Sequence, residues 1–205
     1  MKKSCLNLGS GNNPLKSNEE FTITNVDKYY YPGSPVSLTY HPWADTWNEK
    51  HPDTPWIYGD IVKLDFSDET FDKVILVHVL EHVSMEHGNL AILEAWRVTK
   101  KGGVVEIEVP DLIKAAELLP LAHINENEFR DFYKVEGLFY GTTGLDGEGQ
   151  FHLCGYTKEY LSFKLRERGF IDIKEISVGY GHGDDSEIGH AEPEFNFRMR
   201  AIKPI

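Results

Sequence analysis

Two stretches near the N-terminus have residue types and spacings suited to holding a nucleoside. Leu6-Asn7-Leu8 runs into Gly9-Ser10-Gly11, and Asp27 closes the next apolar segment. Glycine at such a turn lets the backbone pass close beneath a ligand and take positive φ. A carboxylate at the end of the neighbouring strand can accept both hydroxyls of a ribose. Asn12, Asn13 and Pro14 stand where a dinucleotide fingerprint needs its third glycine. That points away from a pyrophosphate and toward a nucleoside without phosphates. Further on, Gly59-Asp60-Ile61 offers the Asp60 carboxylate to an adenine amino group and the Ile61 amide to a ring nitrogen. A tight turn with a solvated Asp27, and a turn aspartate at Asp60, are the purely structural alternatives.

A second set of residues is richer in histidine. His78-Val79-Leu80-Glu81-His82 spells H-x-x-E-H, a zinc-peptidase pattern. That chemistry needs both histidines on one helical face. Here His78 ends an apolar run that reads as strand, so no metal is expected at this pair. Gly149 to Thr157 contains His152, Cys154 and Tyr156 just after a loop holding Gly141, Gly144, Gly147 and Gly149. His152 and Tyr156 are candidate acceptor contacts, and residues 140–156 are expected to form a flap over the site. His182, Asp184, Asp185, Glu187 and His190 lack fixed ligand spacing and read as a solvated loop.

The elements that must carry these groups follow from hydrophobic patterning. Strands are expected at residues 4–8, 21–27, 56–60, 71–80, 104–109, 170–173 and 195–201. Val74-Ile75-Leu76-Val77 is apolar on both faces and marks a buried central strand. Helices are expected over 85–99, with Leu90, Ala91, Leu93, Ala95 and Val98 facing inward, over 111–119 behind Asp111, over 126–139, and over 157–168 behind Thr157. Lys100-Lys101-Gly102-Gly103 reads as the end of the first of these. The fold class is α/β: a doubly wound, mostly parallel seven-stranded sheet with an antiparallel last strand. It forms one domain over 1–205, with inserts at 28–56 and 111–156 as acceptor walls.

Composition narrows the partners. The 205 residues carry 21 Lys and Arg against 33 Asp and Glu, a formal net charge of −12. Such a surface repels phosphate backbones and anionic membranes, so neither nucleic acid nor membrane is an expected partner. The two cysteines, Cys5 and Cys154, form neither a disulfide framework nor a metal cluster. Thiols in a cytoplasmic protein are the simplest reading. The polar residues after Met1-Lys2-Lys3 leave no apolar region of a signal peptide.

Taken in order, Leu6 to Gly11, Asp27, Asp60 to Phe66, Phe71-Asp72-Lys73-Val74, Leu80-Glu81-His82-Val83 and Glu94 to Val98 with Lys101-Gly102-Gly103 resemble the class I S-adenosylmethionine-dependent methyltransferases. The resemblance is strong over residues 4–110 and looser after 157. Asn7 stands where many members carry an acid, Asp65 and Lys101 where proline is usual. The resemblance implies a Rossmann-like sheet and S-adenosylmethionine as cofactor. Asn7 would bond the cofactor's amino acid part, and Gly9, Ser10 and Gly11 would pass under its methionine portion. Asp27 would hold the ribose, Asp60 and Ile61 the adenine, and His78 would stand near the sulfonium.

Methyl transfer from a sulfonium is an in-line displacement, and an oxygen acceptor calls for a base near neutral pKa. His82 and His152 are the catalytic candidates. The expected acceptor is a small metabolite or sugar-type molecule. A zinc hydrolase using His78 and His82, and a cofactor-binding protein without catalysis, are the alternatives.

Overall fold

The computed structural model describes residues 1–11, 14–28, 46–121, 136–141, 151–178 and 195–205. Among them are seven strands: β1 (Lys3–Leu8), β2 (Phe21–Asp27), β3 (Trp56–Tyr58), β4 (Phe71–Val77), β5 (Thr99–Pro110), β6 (Ile171–Ile176) and β7 (Asn196–Ile202). They form one sheet in the order β3-β2-β1-β4-β5-β7-β6. Pairings from β3 through β5 are parallel, and β7 runs antiparallel to both β5 and β6. The strand order reverses between β1 and β4, which makes the crevice beyond their carboxyl ends the natural ligand position.

Period-two alternation decides which side chains meet. Leu6 and Leu8, Val74 and Leu76, Val105, Ile107 and Val109, and Phe197, Met199 and Ala201 share one face. Helix α2 (Met85–Val98) covers that face with Ala91, Ile92, Ala95 and Val98. A short α1 (Trp47–Lys50) precedes β3, and α3 (Leu112–Leu118) follows β5. Helix α4 (Lys158–Glu167) adds Leu161 and Leu165 to the same core. The opposite face holds a small cluster of Cys5, Ile23 and Ile75. Beside it on that face runs a charged strip from Lys73 through Glu106 to Arg198, with Glu108 next in line on β5. Cys5 and Cys154 are both free thiols, and burial pushes the Cys5 thiol up to about 12.

The helix ends use side-chain caps. Ser84 accepts from the His87 amide, Asp111 from those of Ile113 and Lys114, and Thr157 from that of Tyr160. Gly169, at φ +92, ends α4 as expected.

Three expectations need correction. Leu90 and Leu93 lie on the outer side of α2, and Gly88 and Ile92 take the inner positions. Lys100 to Gly103 belong to β5, because the Gly102 amide and the Gly103 carbonyl pair with the backbone of Lys203. The central strand stops at Val77, where His78 turns the chain away at φ +52. The 126–135 part of the expected helix and the 182–190 loop lie outside the described residues.

Arg97, near the end of α2, holds the β3–β4 connection. Its guanidinium bonds both carboxylate oxygens of Glu94 at 2.7 and 2.8 Å, the carbonyls of Leu64 and Phe66, and Asp68. Glu94 in turn accepts from the Leu64 amide at 2.7 Å. Five donors in a rigid fork suit this task, and lysine lacks that geometry. Arg97→Ala should cost about 1.5–3 kcal/mol of stability, from the loss of charge-assisted bonds that secure the loop. Urea unfolding with an unchanged m-value checks this; a loss under about 0.5 kcal/mol would make the cluster an ordinary surface ion pair.

Candidate active site

The glycine turn, Asp27 and His78 converge at the carboxyl ends of β1, β2 and β4. The amides of Gly9 and Ser10 both donate to the Val26 carbonyl, at 2.8 and 3.0 Å. The Gly11 amide donates to Asp27 Oδ2 at 2.9 Å. The turn is therefore wired to the end of β2, which explains the spacing between Gly9 and Asp27. Gly9 and Gly11 have φ of +67 and +59. A Cβ on Gly9 would lie 2.5 Å from Val79 Cγ2, whereas one on Gly11 would meet none of the described residues within 4 Å. So Gly9 serves close packing beneath the turn, and Gly11 borders open space.

Asn7 is buried and donates to Asn25 Oδ1 at 2.9 Å, which ties β1 to β2. Asp60 accepts from Lys28 at 2.7 Å and from the Val62 amide at 3.2 Å. Burial opposes ionisation of Asp60, but these bonds and the Lys28 charge outweigh it and lower its pKa. Ile61 is buried beside it in the main core.

His78 sits between two carboxylates. Its Nδ1 lies 3.0 Å from Glu81 Oε1 and its Nε2 3.5 Å from Glu108 Oε1. Its backbone amide also donates to the Glu108 carbonyl. Burial by itself would lower the imidazole pKa, but the hydrogen bonds and charges of Glu108 and Glu81 raise it to about 10. His78 is thus an imidazolium at neutral pH. Glu81, though buried, is held ionised by the same pairing. Glu108 also lies 4.0 Å from Arg198.

His82 lies on the 3₁₀ turn Leu80–His82, so it shares no helix face with His78 and the H-x-x-E-H geometry is absent. Instead it meets His152, with ring centroids 4.8 Å apart. Each imidazole bonds a carbonyl through Nδ1: His82 to Phe151 at 3.3 Å, His152 to Leu138 at 3.0 Å. A carbonyl only accepts, so each ring carries a proton on Nδ1, and the neutral form of either ring presents its lone pair at Nε2. Burial, outweighing the Glu81 charge, lowers the His82 pKa. The amide of Leu153 donates to the Glu81 carbonyl at 2.7 Å, and that of His152 to Tyr140 at 3.1 Å. These bonds anchor both ends of the expected flap, whose residues 142–150 lie outside the described ones. Tyr156, expected at the acceptor, is buried in the core over Gly88 instead.

Sequence reasoning missed the part played by Glu108. The signal was available in β5, where Glu106 and Glu108 alternate with Val105, Ile107 and Val109. Carboxylates buried on one face of a central strand imply cationic partners.

Known methyltransferases are similar to this chain in part of its sequence and in its fold. Residues 36–107 match the family described as Methyltransferase domain. A demethylmenaquinone methyltransferase from Streptomyces griseus subsp. griseus is 42% identical over 59 residues, 29% of this chain and 25% of the relative. The match thus spans about a quarter of the relative's length. Among solved structures, a protein from Pyrococcus horikoshii OT3 superposes with TM-score 0.60 at 17% identity, covering 99% of this chain and 82% of the other. The 1,6-didemethyltoxoflavin-N1-methyltransferase of Burkholderia thailandensis, solved with 1,6-didemethyltoxoflavin and S-adenosylhomocysteine, gives 0.56 at 13% identity, covering 100% and 72%. The chain has the class I methyltransferase fold, and the resemblance read from its motifs holds.

The two glycines make distinct predictions. Gly11→Ala should cost about 1–2 kcal/mol, the penalty of a left-handed residue. Gly9→Ala should cost about 1–3 kcal/mol more, because its methyl must displace Val79. Thermal or urea unfolding of both variants checks the order; equal losses would contradict the contact with Val79.

Proposed function

We propose that this chain is a cytoplasmic S-adenosylmethionine-dependent methyltransferase that acts on a small-molecule or sugar-type acceptor by in-line displacement. One observation carries the reading. The glycine turn, Asp27 and the ion-pair cluster of His78, Glu81 and Glu108 flank the point where the strand order reverses. His78, held between the Glu81 and Glu108 carboxylates, stands at the end of β4, where the strand order reverses. The open space beside Gly11 fits a ligand laid along the turn. Among the described residues no helix is long and apolar enough to cross a membrane. The bound small molecule of the Burkholderia enzyme is in keeping with a small acceptor.

When bound, the cofactor supplies an activated methyl carbon. Everything else falls to this chain. Gly9, Ser10 and Gly11 line the methionine portion, with Asn7 beneath them. Asp27, already oriented by the Gly11 amide, holds the ribose, and Asp60 with Ile61 borders the adenine. His82 and His152 stand on the acceptor side. With Nδ1–H directed at a carbonyl, each ring offers Nε2 to the proton that an acceptor hydroxyl releases.

Asp27→Ala tests the assignment. Losing charge-assisted bonds to the ribose hydroxyls removes roughly 1.5–3 kcal/mol of binding, so affinity for S-adenosylhomocysteine should fall about ten- to hundredfold. Calorimetric titration of wild type and variant, with circular dichroism to confirm folding, reads this. Unchanged affinity in a folded variant would put Asp27 outside the site.

A further inference from the structure

Glu81, His82 and His152 form a group that proton transfer does not fully account for. One ligand-capable atom from each lies within 4.8 Å of the others. Glu81 Oε1 is taken by His78, but Glu81 Oε2 is buried with no hydrogen-bond partner among the described residues. A buried carboxylate oxygen left unpaired is costly, and the cost falls away if a cation binds there. The Nδ1 atoms of both imidazoles are committed to carbonyls, the arrangement that metal-ligating histidines use to fix tautomer and ring orientation.

From these observations we infer that Glu81, His82 and His152 bind one divalent transition-metal cation of the zinc type. Two imidazoles and one carboxylate give three protein ligands and leave a position open, the composition of reactive rather than closed structural zinc sites. Bonds of about 2.0–2.2 Å would bring the ligand atoms to roughly 3.3 Å apart. Side-chain rotation can supply that contraction, since His82 lies on a one-turn 3₁₀ segment and His152 on non-helical chain. The absence of metal expected at His78 and His82 concerned a different pair. His78 has both ring nitrogens on carboxylates and acts here only by orienting Glu81. A bound cation would occupy the Nε2 lone pairs, so an acceptor oxygen would then meet the cation rather than an imidazole.

Metal binding is measured without an acceptor and without methyl transfer. The test is calorimetric titration of the chelator-stripped full chain with Zn²⁺ alone, backed by elemental analysis after dialysis. One zinc per chain is expected. Affinity should fall roughly a hundredfold or more in His82→Ala and in His152→Ala, since even outer-shell partners of a metal are worth ten- to hundredfold. His87→Ala, which alters an exposed histidine outside the group, should bind as wild type. If a variant fails to fold, the visible spectrum of the Co²⁺-loaded wild-type chain decides between low-symmetry protein ligation and hydrated ion. No binding, a hydrated-ion spectrum, or binding undiminished in folded His82→Ala and His152→Ala would overturn the inference. S-adenosylhomocysteine binding to the stripped chain would show that the cofactor reading survives such a failure.

Discussion

The left-handed turn at His78 is the constraint on which the rest of the site depends. A non-glycine residue at φ +52 is strained by about 1–2 kcal/mol and persists only where its surroundings hold it. Here they do. The amide of His78 bonds the Glu108 carbonyl, and its ring is gripped by Glu81 and Glu108. Because the chain leaves the sheet at this point, Val79 packs under Gly9 and Glu81 reaches the interior. The Glu81 carbonyl then receives the amides of Leu153 and Cys154, and the Cys154 thiol bonds the carbonyls of Leu80 and Val83. One turn thus joins the glycine turn, the central strand β5 and the segment that brings in His152.

Electrostatics follows from the same turn. The chain as a whole is strongly acidic, yet the buried glutamates Glu81, Glu106 and Glu108 each have a cationic neighbour. Glu106 pairs with Lys73 and Arg198, while His78 serves both Glu81 and Glu108. Buried charges are tolerated when paired, and breaking one pair strands its partner. Among the described residues neither Glu81 Oε2 nor Glu108 Oε2 has a hydrogen-bond partner, and Glu81 is the one of the two that groups with His82 and His152.

The framework was legible in the sequence because its signals are local. Alternation placed the strands, the doubly apolar run at 74–77 marked the centre, and Asp111 and Thr157 marked helix starts. Gly9 to Gly11 and Asp27 were readable because one hydrogen bond between neighbouring strands sets their spacing. What was not legible depends on contacts distant in sequence. His82 meets His152 across 70 residues. Tyr156 looked like a surface acceptor contact but fills the space that Gly88 leaves open. Leu90 and Leu93 looked like core because helical spacing alone cannot say which of two apolar stripes meets the sheet.

The most direct measurement is a crystal structure of the chain with S-adenosylhomocysteine. The account predicts one ligand per chain, lying over Gly9 to Gly11, with its ribose hydroxyls on Asp27 and its sulfur toward His78. A ligand bound elsewhere, for instance in the groove lined by Lys73, Lys100, Lys101 and Arg200 at the opposite end of the sheet, would contradict it.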